Sequence, residues 1–223
     1  MCLDDCCKRE FHPRKKKSGP YQTTNAYTTP YSCEQVATLI LFIIQLILYC
    51  VFVLPPLDDI GNAILWVMLG VTFAVLLVIA YDYIYLTVAD PVDPLVSGEE
   101  ISRRFAVEDL TFCVICDRQV QVNSHHCFRC DRCTEDFDHH CKFLNNCIGG
   151  QNYEAFFRIL CTYSLYNLLI IAQAIWVLVL NLDDRSIALS GNQWGVVTVL
   201  VLTGLLELLV GALLGFHCYI TLC

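Results

Sequence analysis

The chain reads as an α-helical polytopic membrane protein with four transmembrane helices and a cysteine-rich domain between the second and third. Three observations predict this. Mean hydropathy is +0.53, with 56% hydrophobic and only 16% charged residues, too apolar for an ordinary water-soluble domain of this length. Four long apolar stretches, Val36 to Leu54, Ala63 to Leu86, Phe156 to Leu182 and Val196 to Ile220, are each near the ~20 residues that cross a hydrocarbon core. Seven of the fifteen cysteines and four of the six histidines crowd between Cys113 and Cys147.

Taken in order, residues 1–35 form a polar tail without the short apolar core and cleavage site of a signal peptide, so the first span stays as an anchor. Residues 36–89 hold the first two spans, 90–155 the cysteine-rich domain, and 156–223 the last two. Six of the fourteen Lys and Arg lie in the tail and seven between Arg103 and Arg158. An even number of crossings puts both on one face, which the positive-inside rule makes cytosolic. The segments Pro55 to Asn62 and Asp183 to Gln193 then face the lumen or exterior. Pro91, Pro94 and Gly98 mark the exit from the second span, and Glu99 to Leu110 reads as a polar connector. Tyr81, Tyr83 and Tyr85, with Tyr153, Phe156 and Phe157, suit an interfacial aromatic belt. No internal repeat of fold-defining period is evident. Between Cys113 and Gln151 no helical period survives, and short hairpins built around metal are expected because apolar content is too low for a self-sufficient core.

The spacing there is Cys113-x2-Cys116, then His125-His126-Cys127-x2-Cys130-x2-Cys133, then Asp138-His139-His140-Cys141-x5-Cys147. Cys-x2-Cys steps with nearby histidines suit tetrahedral zinc, and cytosolic thiols stay reduced. Two Cys3His sites would use six cysteines and two histidines, leaving one cysteine and two histidines over. The plainest reading is a structural zinc module. Against it, Asp138, His139 and Cys141 supply orienter, base and nucleophile types within four residues. A thiol beside histidine and arginines is expected to have a lowered pKa. Spans on both sides pin the segment to a bilayer, so a substrate held by the same bilayer suits it.

At these residues the sequence resembles the DHHC-type protein S-acyltransferases (palmitoyltransferases). The resemblance runs from Asp90-Pro91 through the Asp-His-His-Cys signature and the Asn146 to Gly149 stretch to Asn152-x3-Phe156. It implies one zinc held by Cys113, Cys116, His126 and Cys133, and a second by Cys127, Cys130, His140 and Cys147. Cys141 is by resemblance the acyl-accepting nucleophile, His139 its base and Asp138 the group that orients the base. The implied cycle transfers an acyl chain from a long-chain acyl-CoA such as palmitoyl-CoA to Cys141, then to cytosolic cysteines of membrane-associated proteins. Phe143 falls where the family has tryptophan at the mouth of an acyl cavity. Tyr166 falls at the cavity's far end, with plain helix packing as its alternative. Arg129, Arg132, Lys142 and Arg158 are candidates for the CoA phosphates, or simply positive-inside charges.

The chain departs from the family pattern at Val120, Gln121 and Asn123, at Lys142, where proline is commoner, and at Val92, where glycine is expected. None removes a ligand or a member of the Asp-His-Cys set. The family's Thr-Thr-x-Glu motif and C-terminal segment are expected just beyond Cys223. The competing function is therefore a catalytically impaired or truncated relative acting as a binding or assembly partner. Nucleic-acid binding is excluded because the tethered segment has nearly balanced charge. Span lengths point to an early secretory membrane, Golgi or ER. Glu207, mid-span, reads as a hydrogen-bonded or protonated packing residue, and Gly211-x3-Gly215 as a site of close helix approach. Cys50, Cys161 and Cys218 read as small buried apolar residues. Cys2, Cys6 and Cys7 are candidates for acylation, and His12, His125 and His217 carry no role.

Overall fold

The computed structural model describes residues 25–27, 32–58, 63–97, 110–181 and 191–222. The tail cysteines Cys2, Cys6 and Cys7, His12, and most of the connector lie outside these. The first span begins at α1 (Cys33–Leu48), whose N-cap Ser32 accepts from the Gln35 N–H at 2.9 Å, satisfying an otherwise orphaned donor. The helix passes through a π-helical turn, Tyr49–Val53, into α2 (Leu54–Asp58). Pro55 and Pro56 have no N–H to give the preceding turn, and the wider π turn absorbs the break. The expected exit at Pro55 thus still lies within helix. The other spans are α3 (Ala63–Val88), α5 (Tyr153–Asn181) and α6 (Gly191–Leu222); a short α4 (Pro94–Ser97) follows α3.

Among the described residues, four helices are long and apolar enough to cross a membrane, over 25, 23, 28 and 30 residues. Three of them exceed the stretches read from sequence and the second matches its stretch to within one residue, so span length gives no reason to favour a thin membrane. Their shared core includes Tyr49, Val53, Ile79, Tyr166, Ile170 and Val199. Lipid is as apolar as leucine, so helices in it gain from close packing and polar bonds rather than from hydrophobic drive. Both occur here. A Cβ on Gly195 would fall 2.1 Å from the Phe52 ring. Tyr49 donates to Gln173 Oε1 at 2.5 Å and Gln173 to Thr72 at 2.9 Å. Gln45 donates to Asn167 Oδ1 at 2.9 Å and to Thr203 at 3.2 Å. Glu207 accepts from Ser164 at 2.5 Å and Asn167 at 3.1 Å, as a hydrogen-bonded packing residue should. Two expectations fail. A Cβ at Gly215 would meet nothing within 4 Å, and one at Gly211 only Glu207 of its own helix, so Gly211-x3-Gly215 is not a close-approach site among the described residues. Cys50 is exposed, and Cys161 and Cys218 only partly buried, because these helix faces point outward.

The cysteine-rich segment is three antiparallel hairpins: β1 (Leu110–Cys113) with β2 (Arg118–Gln121), β3 (His125–Cys127) with β4 (Arg132–Thr134), and β5 (His139–Cys141) with β6 (Asn146–Ile148). Cys113 pairs Arg118, Cys127 pairs Arg132 and Cys141 pairs Asn146. Each pair stands fourteen residues after the last (113, 127, 141), so an internal repeat does exist. Its small period and altered third copy hid it from the sequence reading. Each hairpin closes through a residue in the left-handed region, Asp117 and Asp131 at φ 55° and Asn145 at φ 52°, where Asp and Asn are tolerated because their side chains bond locally.

The third hairpin is fastened to the spans. Asn146 Nδ2 donates to the Leu86 and Ala89 carbonyls, both at 2.8 Å, satisfying acceptors at the end of α3 that have no intrahelical partner. Asn152 accepts from the Gly149 N–H and donates to the Cys147 carbonyl, both at 2.9 Å, locking β6 to the start of α5. A Cβ on Gly149 would fall 2.3 Å from the Glu135 carbonyl. Ser32, ahead of α1, donates to the Lys142 carbonyl at 2.6 Å. The start of α1, the end of α3 and the start of α5 therefore meet one hairpin.

Candidate active site and metal centres

Strand alternation distributes the ligands. Neighbouring residues on a strand face opposite ways, while paired residues across an antiparallel ladder share a face. In the second hairpin His126 and its partner Cys133 join Cys113 and Cys116 of the first, and Cys127 turns the other way. There it meets Cys130 and the pair His140 and Cys147 of the third hairpin. One donor atom from each member of either four-residue set lies within 4.8 Å of the others. Cys116 Sγ is 3.2 Å from His126 Nδ1 and 3.6 Å from Cys133 Sγ; Cys130 Sγ is 3.4 Å from both His140 Nδ1 and Cys147 Sγ. Zinc–sulfur bonds of ~2.3 Å in a tetrahedron separate sulfurs by about 3.8 Å, so both sets fit such an ion.

Electrostatics agree. Cys116 is drawn down to about 4, chiefly by the thiol of Cys133, which is itself pushed up by the same contact. In the second set Cys127 is lowered by Cys130 and Cys147, while these two are raised. Left to themselves the three thiols of a set cannot all ionise; a divalent cation is what lets them. His126 Nε2 lies 3.6 Å from Asp131, the outer carboxylate that commonly orients a ligating histidine.

The third hairpin differs. In the first two, the amide three residues on donates to the leading cysteine sulfur, Cys116 to Cys113 at 3.4 Å and Cys130 to Cys127. In the third, Leu144 and Phe143 amides approach Cys141, but Leu144 replaces the second ligand cysteine. Cys141 is therefore a knuckle cysteine in neither four-residue set. It is 7% exposed and packs with Leu86, Leu144, Ile148, Ala155, Phe156 and Leu160, at the ends of α3 and α5. Burial raises its pKa above the ordinary thiol value, with the two amides opposing. The lowered pKa expected from sequence is thus reversed, because the apolar helix ends desolvate the thiolate.

On the same strand His140 points to the metal set, so His139 shares the face of Cys141. The His139 Nδ1–H donates to Asp138 Oδ2 at 2.6 Å; a carboxylate only accepts, so Nε2 is left as the basic nitrogen. The His139 ring packs edge-on to Phe156 at 5.2 Å. The structure thus sets His139 and Cys141 on one face of β5, with Asp138 bonded to His139, and turns the eight ligands to the two sets. Phe143 is exposed in the turn beside Cys141, whereas Tyr166 is buried in the bundle core between Phe42 and Tyr163.

Two basic candidates are engaged elsewhere. Arg132 is 1% exposed and paired with Asp90. Arg158 clasps the buried Asp82 through both Nε and Nη2. Neither is a free phosphate contact. Arg129 is exposed, and the exposed Lys142 lies 3.9 Å from Glu34. Sequence reasoning missed Asp82, which stands among belt tyrosines, and His217. His217 is buried on α6 with its Nδ1 3.0 Å from the Tyr153 hydroxyl. A lone histidine late in an apolar run carried no signal.

A family model described as DHHC palmitoyltransferase matches residues 106–223, more than half of the sequence, and the chain belongs to that family. It is 28% identical over 138 residues to a curated relative from Arabidopsis thaliana named "Probable protein S-acyltransferase 16", a match covering 60% of this chain and 46% of the relative. The chain thus spans about half the length of that relative.

Proposed function

We propose that this chain is a protein S-acyltransferase that carries a long-chain acyl group on Cys141 as a thioester. The observation that carries the reading is the split face of β5: His140 turns to a metal set while His139, held by Asp138, shares the other side with a thiol excluded from both sets. Family membership and the S-acyltransferase name of the relative support it.

In the first step His139 Nε2 takes the Cys141 proton as the sulfur attacks the thioester carbonyl carbon of an acyl-CoA. The carbon–sulfur bond to CoA then breaks, and His139 returns the proton to the leaving thiolate. In the second step a cysteine thiol of a membrane-associated protein gives its proton to His139 as its sulfur attacks the Cys141 thioester carbonyl; the carbonyl carbon–Cys141 sulfur bond breaks, the acyl chain stays on the new cysteine, and Cys141 regains the proton from His139. Asp138 fixes the tautomer and stabilises the imidazolium. Because burial disfavours the free Cys141 thiolate, proton removal is coupled to attack. The acyl chain enters the apolar region between the spans, favoured by ~0.8 kcal/mol per buried methylene, with Phe143 at its mouth and Tyr166 at depth. Two Zn2+ would be held by Cys113, Cys116, His126 and Cys133, and by Cys127, Cys130, His140 and Cys147. The ions supply folding energy to hairpins that lack a core. The hairpin module faces the cytosol, where acyl-CoA and reduced thiols coexist, consistent with the Lys and Arg of the tail and those from Arg103 to Arg158.

The test is labelling of the purified, zinc-loaded chain with a long-chain acyl-CoA. Hydroxylamine-sensitive label on wild type and none on Cys141→Ala is the expected result. Absence of label on the folded wild type overturns the reading and favours a partner role.

A further inference from the structure

His217 ends the fourth span in contact with the residues around the reactive hairpin. It is 3% exposed. Its ring meets Phe156 edge-on at 5.1 Å, and Phe156 meets His139 in the same way at 5.2 Å. The two imidazoles are 6.3 Å apart, centroid to centroid. Tyr153, one turn before Phe156 on α5, approaches His217 Nδ1 with its hydroxyl at 3.0 Å, and its own ring lies 6.3 Å from Phe156. The three rings of Phe156, His139 and His217 thus form a triangle, each close to the other two, and Tyr153 fixes His217.

Asp138 restrains His139 at one nitrogen only, leaving the ring free to swing about that bond. Something must wall the ring from the membrane side if Nε2 is to stay directed at Cys141. Phe156 and His217 stand side by side as that wall, at 5.2 and 6.3 Å from the His139 ring. An apolar residue of similar size would fill the space but would give the half-buried Tyr153 hydroxyl no acceptor, so nothing would fix the ring at that position.

We propose that His217, bonded by Tyr153, is a positioning residue for His139: by its own ring and through Phe156 it couples the end of the fourth span to the orientation of the base. This rests on His139 serving Cys141, as in the proposed function. A misplacement of ~1 Å at a reacting group costs up to about 10²-fold in rate.

The experiment measures alkylation of Cys141 by iodoacetamide at fixed pH, followed by mass spectrometry of the Cys141 peptide in the full, zinc-loaded chain. His139→Ala is expected to slow alkylation by about 10²-fold. His217→Ala should slow it by about tenfold or more. His217→Asn, whose amide oxygen can replace Nδ1 as the acceptor, should recover most of the rate. The double variant His139→Ala/His217→Ala should be no slower than His139→Ala alone, because His217 then has nothing to position. An unchanged rate in His217→Ala overturns the proposal. So does a double variant whose losses multiply, or a His217→Asn variant that stays slow. Loss of zinc from every His217 variant would mark a purely structural role and also overturn it. Alkylation needs no acyl donor, so a wild type that takes no acyl label yet shows this coupling loses the acyltransferase reading and keeps the positioning role.

Discussion

Cys141 combines two influences of opposite sign. Apolar neighbours at the helix ends push its pKa up, and the Leu144 and Phe143 amides partly offset them. Ionisation is therefore suppressed near neutral pH, and in the proposed reaction a base has to act during attack. The expected consequence concerns His139→Ala. Below the thiol pKa the thiolate fraction rises about tenfold per pH unit, so the residual acylation rate of the variant should climb about tenfold per unit from pH 6.5 to 8.5. Wild type should be much flatter over that range. Acyl-label rates across pH check this, and a flat profile in the variant would show that His139 is not the proton acceptor. Residue types and spacing made Asp138, His139 and Cys141 legible in the sequence, since all three lie within one short strand and its approach. The sign of the Cys141 shift was not legible, because Leu86, Ala155 and Leu160 come from other elements.

Each hairpin contributes to the metal sets in a fixed way. The first supplies only the set of Cys113, Cys116, His126 and Cys133, the third only the set of Cys127, Cys130, His140 and Cys147, and the second supplies both. Cys113→Ser should lower zinc content from two to about one per chain while leaving the third hairpin folded, as a four-ligand site rarely survives the loss of a thiolate. Cys147→Ser should lose the other ion and also disorder the hairpin that holds Cys141. Zinc analysis paired with alkylation of Cys141 distinguishes the two: only Cys147→Ser should make Cys141 indiscriminately reactive. Asn146 ties the same hairpin to the membrane. Its amide donates to two carbonyls at the end of α3 and its oxygen accepts from the Cys147 N–H at 2.9 Å. Asn146→Ala should cost about 1–3 kcal/mol through the buried groups it leaves unpaired, read as a lowered Tm in detergent. Local spacing revealed the ligands, but not that Asn146 caps a membrane helix, since its acceptors lie 57 and 60 residues away.

Across the whole molecule, charged and polar groups mark where the spans must meet. Asp82 is fully buried, and its pairing with Arg158 joins α3 to α5. Arg158→Leu should destabilise the chain because it leaves a buried carboxylate unpaired. Asp82→Asn in the same chain should recover much of the loss, and thermal unfolding of the three proteins checks it. Glu207→Leu strips an acceptor from both Ser164 and Asn167, with an expected cost of about 1–3 kcal/mol. Ser164→Ala should be milder, because Asn167 still has its acceptor.

Four spans, a Cys/His module between the second and third that could hold metal, and the proposed set of Asp138, His139 and Cys141 follow from the linear order of residues. Hydrophobic length and Cys/His spacing are local properties that survive without a fold. Folding alone assigned Arg132 and Arg158 to buried or clasping ion pairs rather than to a ligand, turned Gly211 and Gly215 away from any helix contact, and brought His217 beside Phe156. These depend on which helix faces meet, and a run apolar on all sides does not encode that by its periodicity.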